Sequence, residues 1–282
     1  MAVMKPLRVA VVQAEALPGE IAGNATTAAR LVQQAAGEGA ALCVLPELFL
    51  PAYHPPTLRA DPAGTDLAAD EGGRVADARL DPLTAAAADH ATVVLVGAAV
   101  RRPDGRRTLS SLLVEGTGAI TAAYDKQHLW GPDENALFTP GDAGVSIEVD
   151  GWRLALGICY DGCFPEHGRA AAGDGAHGYL CPSAFLTGSQ HRRDLYYAAR
   201  ALDNTMYVVF ANSVGGSGGW LFCGGSAVFD PQGQPLARAA DEGEAIVVAD
   251  LDPEELVRVR TKHRMLLDRR TDLGGRRWLR VR

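Results

Sequence analysis

The sequence predicts an α/β fold in which mixed sheets are covered by helices. Three observations lead there. Short apolar runs of strand length alternate with helical patterns over the first hundred residues. Later apolar runs follow one another with only tight turns between them, which an all-parallel sheet does not allow. Two turns carry hairpin chemistry, Arg102-Pro-Asp-Gly-Arg106 and Asp230-Pro-Gln-Gly-Gln234.

In chain order, Leu7–Gln13 and Ala41–Leu45 read as buried strands, with a helix over Asn24–Ala36 between them, opened by a plausible N-cap. Asp61–Ala78 is polar and rich in Gly and Ala, and reads as a surface loop. Asp81–His90 begins Asp-Pro, a helix start signal. Strands follow at Thr92–Val100, Ser110–Val114, Ala119–Tyr124 and Trp152–Ile158. Phe164–Ala172 and Ser189–Asn204 are helical, flanking a strand at Gly178–Cys181. Further strands are Met206–Asn212, Ser226–Phe229 and Ala245–Asp250, and Pro253–Val259 is a short last helix. No internal repeat or linker divides the chain. It reads as one domain over 1–282, with 253–282 as a C-terminal extension.

Composition narrows the function classes. With 27 Lys and Arg against 34 Asp and Glu, the net charge is -7. An acidic chain lacks the basic face that phosphate neutralisation needs, so nucleic acid is not expected as a partner. The basic stretch from Arg258 to Arg282 is the exception and reads as a solvated or subunit-contacting tail. The longest uncharged run, 204–229, holds six glycines and several polar residues, so no membrane span is expected. Five cysteines make no regular disulfide framework. With no signal peptide apparent at the start, a cytoplasmic location is the expectation.

Three segments carry chemistry. In Leu156-Gly-Ile-Cys-Tyr-Asp-Gly-Cys-Phe-Pro-Glu166, a strand runs into Cys159 and a helix is expected from about Phe164. A thiol at such a turn lies near the positive end of a helix, which favours the thiolate. In Val44-Leu-Pro-Glu47-Leu-Phe-Leu50, a carboxylate sits inside an apolar run, where an unpaired charge is costly. In Tyr124-Asp-Lys126-Gln-His-Leu-Trp130, a Lys follows a strand directly. Any one of these could be structural: a buried thiol, a salt-bridged Glu, a surface Lys.

Taken together and in this order, the three segments resemble the nitrilase superfamily of carbon–nitrogen hydrolases. That family carries a Glu in P-E, a Lys in K-x-H-L and a Cys in C-Y-D-x-x-F-P-E. Supporting matches are Phe138-Thr-Pro-Gly-Asp142, Arg200-Ala-Leu-Asp-Asn204, Gly224-Gly-Ser226 and Asp230-Pro-Gln-Gly233. The resemblance implies a four-layer α-β-β-α sandwich of two mixed sheets. It implies that Cys159 attacks a carbon bonded to nitrogen and forms a thioester. Glu47 then shuttles protons with a raised pKa. Lys126 stabilises the oxyanion, with the N–H of Tyr160 as its partner donor. Glu134, four residues before Phe138 as in the family, positions Lys126 or the substrate nitrogen. His128 and Asp161 are expected to be structural. No metal or cofactor is required, and a homodimer or higher homo-oligomer is expected.

Cys-Tyr-Asp resembles the amidase-like branches more than the nitrilases, which usually carry Cys-Trp-Glu. Hydrolysis of an amide to an acid and ammonia is therefore the leading reading. Nitrile hydrolysis, N-carbamoyl hydrolysis and acyl transfer on the same site are alternatives, and a non-catalytic binding protein is a more distant one. Relatives acting on carboxylate-bearing substrates commonly place Arg shortly after the cysteine. Here those positions are Gly162 and Cys163, which favours a neutral or modestly polar amide. Tyr53, Trp130, Ala184 and Phe185 are candidate pocket walls, each of which could equally be core packing. Gly215-Gly-Ser217-Gly-Gly219 formally fits the G-x-S-x-G elbow of serine hydrolases, but no helix is expected after it.

Overall fold

The strand Leu7–Gln13 is buried at six of its seven positions, so it needs apolar cover on both faces. The computed structural model, which describes residues 4–281, supplies that cover with a second sheet on one face and helices on the other. The first part of the chain forms β1 (Leu7–Gln13), α1 (Ile21–Gly37), β2 (Leu42–Val44), α2 (Pro55–Ala60), α3 (Pro62–Thr65), β3 (Asp66–Ala68), α4 (Asp81–His90), β4 (Val93–Arg101), β5 (Arg107–Val114), β6 (Ile120–Asp125) and α5 (Gly131–Leu137). The second forms β7 (Ser146–Val149), β8 (Trp152–Leu156), α6 (Pro165–Gly173), β9 (Gly178–Ser183), α7 (Gln190–Asn204), β10 (Tyr207–Asn212), β11 (Val214–Ser217), β12 (Trp220–Cys223), β13 (Ala227–Phe229), β14 (Pro235–Arg238), β15 (Ala245–Leu251) and α8 (Pro253–Lys262).

One sheet has the order β15-β1-β2-β4-β5-β6, with β3 beside β4; the other runs β14-β13-β10-β9-β8-β7. Both are mixed. β1, β2, β3 and β4 are parallel, as are β8, β9 and β10, while the remaining strands of the two sheets pair antiparallel. Three apolar clusters define four layers. The first joins α1 and α4 to one sheet, through residues such as Val32, Leu83 and Val96. The second lies between the sheets, with Val11, Leu95, Leu154 and Val209. The third joins the other sheet to α6 and α7, with Ala172, Tyr197 and Val208. This is the α-β-β-α sandwich expected.

Two expectations fail. Residues 61–78 are not simply a loop: they hold α3 and β3, and Leu67 and Val75 are buried in the outer core. Asp66 anchors the segment by accepting from Arg101 at 2.7 Å and Arg107 at 2.8 Å. Nor does α1 start at Asn24. It starts at Ile21, and Asn24 lies buried inside it, donating to the carbonyls of Leu17 and Leu50 at 2.8 Å. That clamp ties the helix to the segment just after Glu47. In the Gly-rich 215–219 stretch, 215–217 belong to β11 and pair with β12, position 217 opposite Trp220, and 218–219 form the hairpin turn. No helix follows it, and the Ser217 side chain lies outside the described residues.

Candidate active site

The three motif residues all follow strands. Glu47 comes three residues after β2, Lys126 directly after β6, and Cys159 three residues after β8. Strand ends of this kind are where α/β sheets place their ligands.

Glu47 sits in a loop folded tightly against β4. The Gly97 N–H donates to the Pro46 carbonyl at 3.2 Å, and the Leu50 N–H donates to the Gly97 carbonyl at 3.0 Å. A Cβ at position 97 would run into the backbone of Pro46, Glu47 and Leu48, so only Gly permits this approach. Leu48 completes the turn in the left-handed region, with φ 49°. The Glu47 side chain is 1% exposed.

Lys126 is fixed at both backbone ends. Its N–H donates to the Leu109 carbonyl at 2.8 Å, and its carbonyl accepts from Gly141 at 2.9 Å. A Cβ at Gly141 would strike the Asp125 carbonyl, which gives the Phe138-Thr-Pro-Gly-Asp142 segment a physical reason. The ammonium is 0% exposed. Nζ lies 2.6 Å from Glu47 Oε1 and 2.8 Å from each oxygen of Glu134. Glu134 also accepts from the Tyr53 hydroxyl at 2.6 Å and the Trp130 N–H at 2.7 Å. Of the two roles expected for Glu134, the geometry shows contact with Lys126.

Cys159 has φ 46°, the left-handed region that a side chain rarely adopts. It opens a 3-10 turn over Cys159–Cys163 that leads into α6, with Pro165 in the first turn of that helix. The turn is held from beneath. Asp161 accepts from the Ile158 N–H at 3.0 Å, the His128 N–H at 2.8 Å and the Tyr124 hydroxyl at 2.8 Å, and pairs with His128 Nδ1 at 2.8 Å. The Tyr197 hydroxyl donates to the Cys159 carbonyl at 2.9 Å. Asp161 and His128 thus have the structural places expected of them; His128 also stacks on Phe164.

Burial sets the proton affinities. It pushes Glu47 up to about 7, opposed by Lys126 and reinforced by the charge of Glu134. It also pushes the Cys159 thiol well above its ordinary value, and the Glu47 charge adds to this. The thiolate expectation is therefore reversed: burial, with the Glu47 charge beside it, outweighs the helix start at Cys159. For Lys126 burial works downward, but two adjacent carboxylates outweigh it and hold the ammonium protonated.

A cavity opens onto the group. Glu47, Glu134 and Cys159 line it, as do all five residues expected as pocket contacts: Tyr53, Trp130, Tyr160, Ala184 and Phe185. Lys126 is not in the wall; it lies behind the two carboxylates. Leu186, Ser189, Arg192 and Tyr196 also line the cavity and were not singled out from the sequence. Ser189, Arg192 and Tyr196 recur at helical spacing on one face of α7 or its cap, a pattern that could have marked them. The Arg192 guanidinium donates to Ser189 Oγ at 3.1 Å, and it pairs with no carboxylate among the described residues.

Comparisons with known proteins agree with this geometry. A family model described as carbon–nitrogen hydrolase matches residues 8–261. The "hydrolase in pqqF 5' region" of Pseudomonas protegens is 32% identical, over 96% of this chain and 91% of its own length. An omega-amidase of Mus musculus is 30% identical, over 89% and 90%. A double mutant of the amidase from Nesterenkonia sp. AN1, in complex with acrylamide, superposes with a TM-score of 0.79 at 30% identity, covering 94% of each chain. Another structure of that amidase carries the acetamide moiety of fluoroacetamide on its active-site cysteine, with a TM-score of 0.80 at 29% identity over 96% and 97%. This chain belongs to the carbon–nitrogen hydrolase family, in the amidase-like branch of the nitrilase superfamily.

Proposed function

We propose that the protein hydrolyses a small amide to a carboxylic acid and ammonia through a thioester on Cys159. One observation carries the reading. Glu47 faces the same cavity as Cys159 with one carboxylate oxygen on Lys126 and the other, Oε2, without a hydrogen-bond partner among the described residues. A buried carboxylate with a free oxygen and a proton affinity near neutrality can both accept and return a proton.

The steps follow from that placement. Glu47 takes the thiol proton as Cys159 Sγ attacks the carbonyl carbon, and the carbonyl oxygen becomes an oxyanion. In the resting site the N–H donors of Lys126 face Glu47 Oε1 and the carboxylate of Glu134. Protonation makes Glu47 a weaker acceptor and releases one of those donors toward the oxyanion. The Tyr160 N–H, in the first turn of the 3-10 helix and without an intrahelical acceptor, is its partner. The intermediate collapses, the C–N bond breaks, and the Glu47 proton leaves with ammonia. Water then attacks the thioester and gives a proton to Glu47. The C–S bond breaks, the thiol regains a proton and the acid is released. Glu134, saturated by Lys126, Tyr53 and Trp130, positions the ammonium.

Arg192 favours one substrate class over the neutral amides expected from positions 162 and 163. Lys126 and Glu134 balance each other in charge, and Arg192 adds an unpaired cation to the cavity wall. An acyl part ending in a carboxylate matches it. The omega-amidase and amidase relatives support amide hydrolysis in general. Beyond α8, the chain exposes Leu267, Leu273, Trp278, Leu279 and Val281, the last at 95%. A second copy of the chain is the proposed cover, which sizing by light scattering tests.

The direct test is ammonia release from a panel of neutral and carboxylate-bearing amides. Cys159→Ala is expected to fold and to release none. Product analysis with hydroxylamine separates hydrolysis from transfer to an amine.

A further inference from the structure

A second cavity shares the Glu47 and Tyr53 walls with the acyl pocket. Its walls include Glu15, Ala16, His54, Ser213, Val214 and Trp220. Only Glu47 and Tyr53 line both cavities; Cys159 lines the first alone. Tyr53 is a fixed partition. Its hydroxyl is held on Glu134 at 2.6 Å, and its ring packs on Trp220 and Phe222 with centroids 5.7 and 5.9 Å away.

We infer that this second chamber is the port through which water reaches Glu47 and ammonia leaves. The inference rests on the thioester reading above. An acyl group bound to Cys159 occupies the first cavity, whose wall also contains Glu47. The step that follows needs a water molecule at Glu47 while that acyl group is still in place. The second chamber borders Glu47 without including Cys159, and its walls carry the carboxylate of Glu15 and the buried hydroxyl of Ser213. Besides Glu47 and Tyr53, its polar wall groups include the Glu15 carboxylate, the His54 ring and the Ser213 hydroxyl, and Cys159 is not among them. Small hydrogen-bonding molecules are therefore its ligands, and the substrate itself is not.

Val214→Trp and Ala16→Leu fill the chamber from two different walls, and neither residue touches the first cavity. Three readouts are taken on the full chain: kcat for a turned-over amide, the fraction of enzyme carrying an acyl mass after a steady-state quench, and the rate of Cys159 alkylation by iodoacetamide. The expected result is a kcat lowered tenfold or more, with acyl-enzyme accumulating and alkylation within twofold of the parent. A kcat within twofold in both variants overturns the inference. So does a parallel fall of kcat and alkylation in both, which would make the chamber a mere support for the site. Turnover surviving in Cys159→Ala would instead sink the thioester reading, independently of either variant.

Discussion

Glu47 Oε1 accepts from Lys126 Nζ at 2.6 Å, both side chains being cut off from solvent, while Glu47 Oε2 has no hydrogen-bond partner among the described residues. The pair is electrostatically unequal. Lys126 has a second carboxylate to keep it charged, whereas Glu47 has one cation shared with Glu134 and a large burial cost. Its proton affinity consequently sits near neutral pH.

This sets the pH dependence. As a base, Glu47 works only when deprotonated, so activity is lost as pH falls through its raised value. We predict that kcat/KM has an acid limb centred at about 7. A solvated Glu, at ~4.3, would place the limb nearly three units lower. A pH–rate profile with no limb between about 6 and 8 contradicts the assignment.

Lys126→Ala should lower kcat by about 100-fold or more, the scale seen when one oxyanion donor is removed. It also leaves two buried carboxylates facing each other without a cation, so the alkylation profile of Cys159 should shift to higher pH as Glu47 holds its proton more tightly. A variant with near-parental kcat would mean that the oxyanion is stabilised elsewhere.

Tyr53→Phe removes one of the bonds that saturate Glu134. A hydrogen bond of this kind is worth about 1 kcal/mol, so a five- to tenfold drop in kcat is expected. Glu134→Gln should cost more, because it removes a charge from Lys126 as well. The reverse ranking in steady-state kinetics would show that Tyr53 acts on substrate directly.

Gly97→Ala tests the support of the Glu47 loop. The added methyl group meets backbone, which cannot swing aside as a side chain can. Overpacking of this kind costs about 1–3 kcal/mol. We expect a lower Tm together with loss of turnover. An unchanged Tm with full activity would show that the loop has slack.

Arg192→Ala should raise KM tenfold or more for an amide with a terminal carboxylate, and leave KM for a neutral amide of similar size within twofold. Equal effects on both substrates would remove the anion-binding role.

The legible parts of the molecule were those with short-range signals. Glu47, Lys126 and Cys159 stand in compact motifs, and Asp81–His90 announces its own start with Asp-Pro. The β7 strand at Ser146–Val149 was missed because it is a four-residue edge strand with only Val149 buried, which leaves little apolar pattern to see. Gly97 looked like an ordinary interruption of a strand; its purpose depends on a loop fifty residues away. Arg192 shares a helical face with Ser189 and Tyr196, but a charged residue on an amphipathic helix is usually solvated, so that spacing alone does not mark a cavity wall. The thiolate expectation failed because helix proximity can be read from sequence, whereas the depth of burial cannot.

The most direct test of the whole account is intact-mass and peptide analysis of the protein quenched during turnover of mixed amides. An added acyl mass is expected on the peptide containing Cys159, removed by hydroxylamine and absent from Cys159→Ala. An adduct on another residue, or undiminished ammonia release by Cys159→Ala, would contradict it.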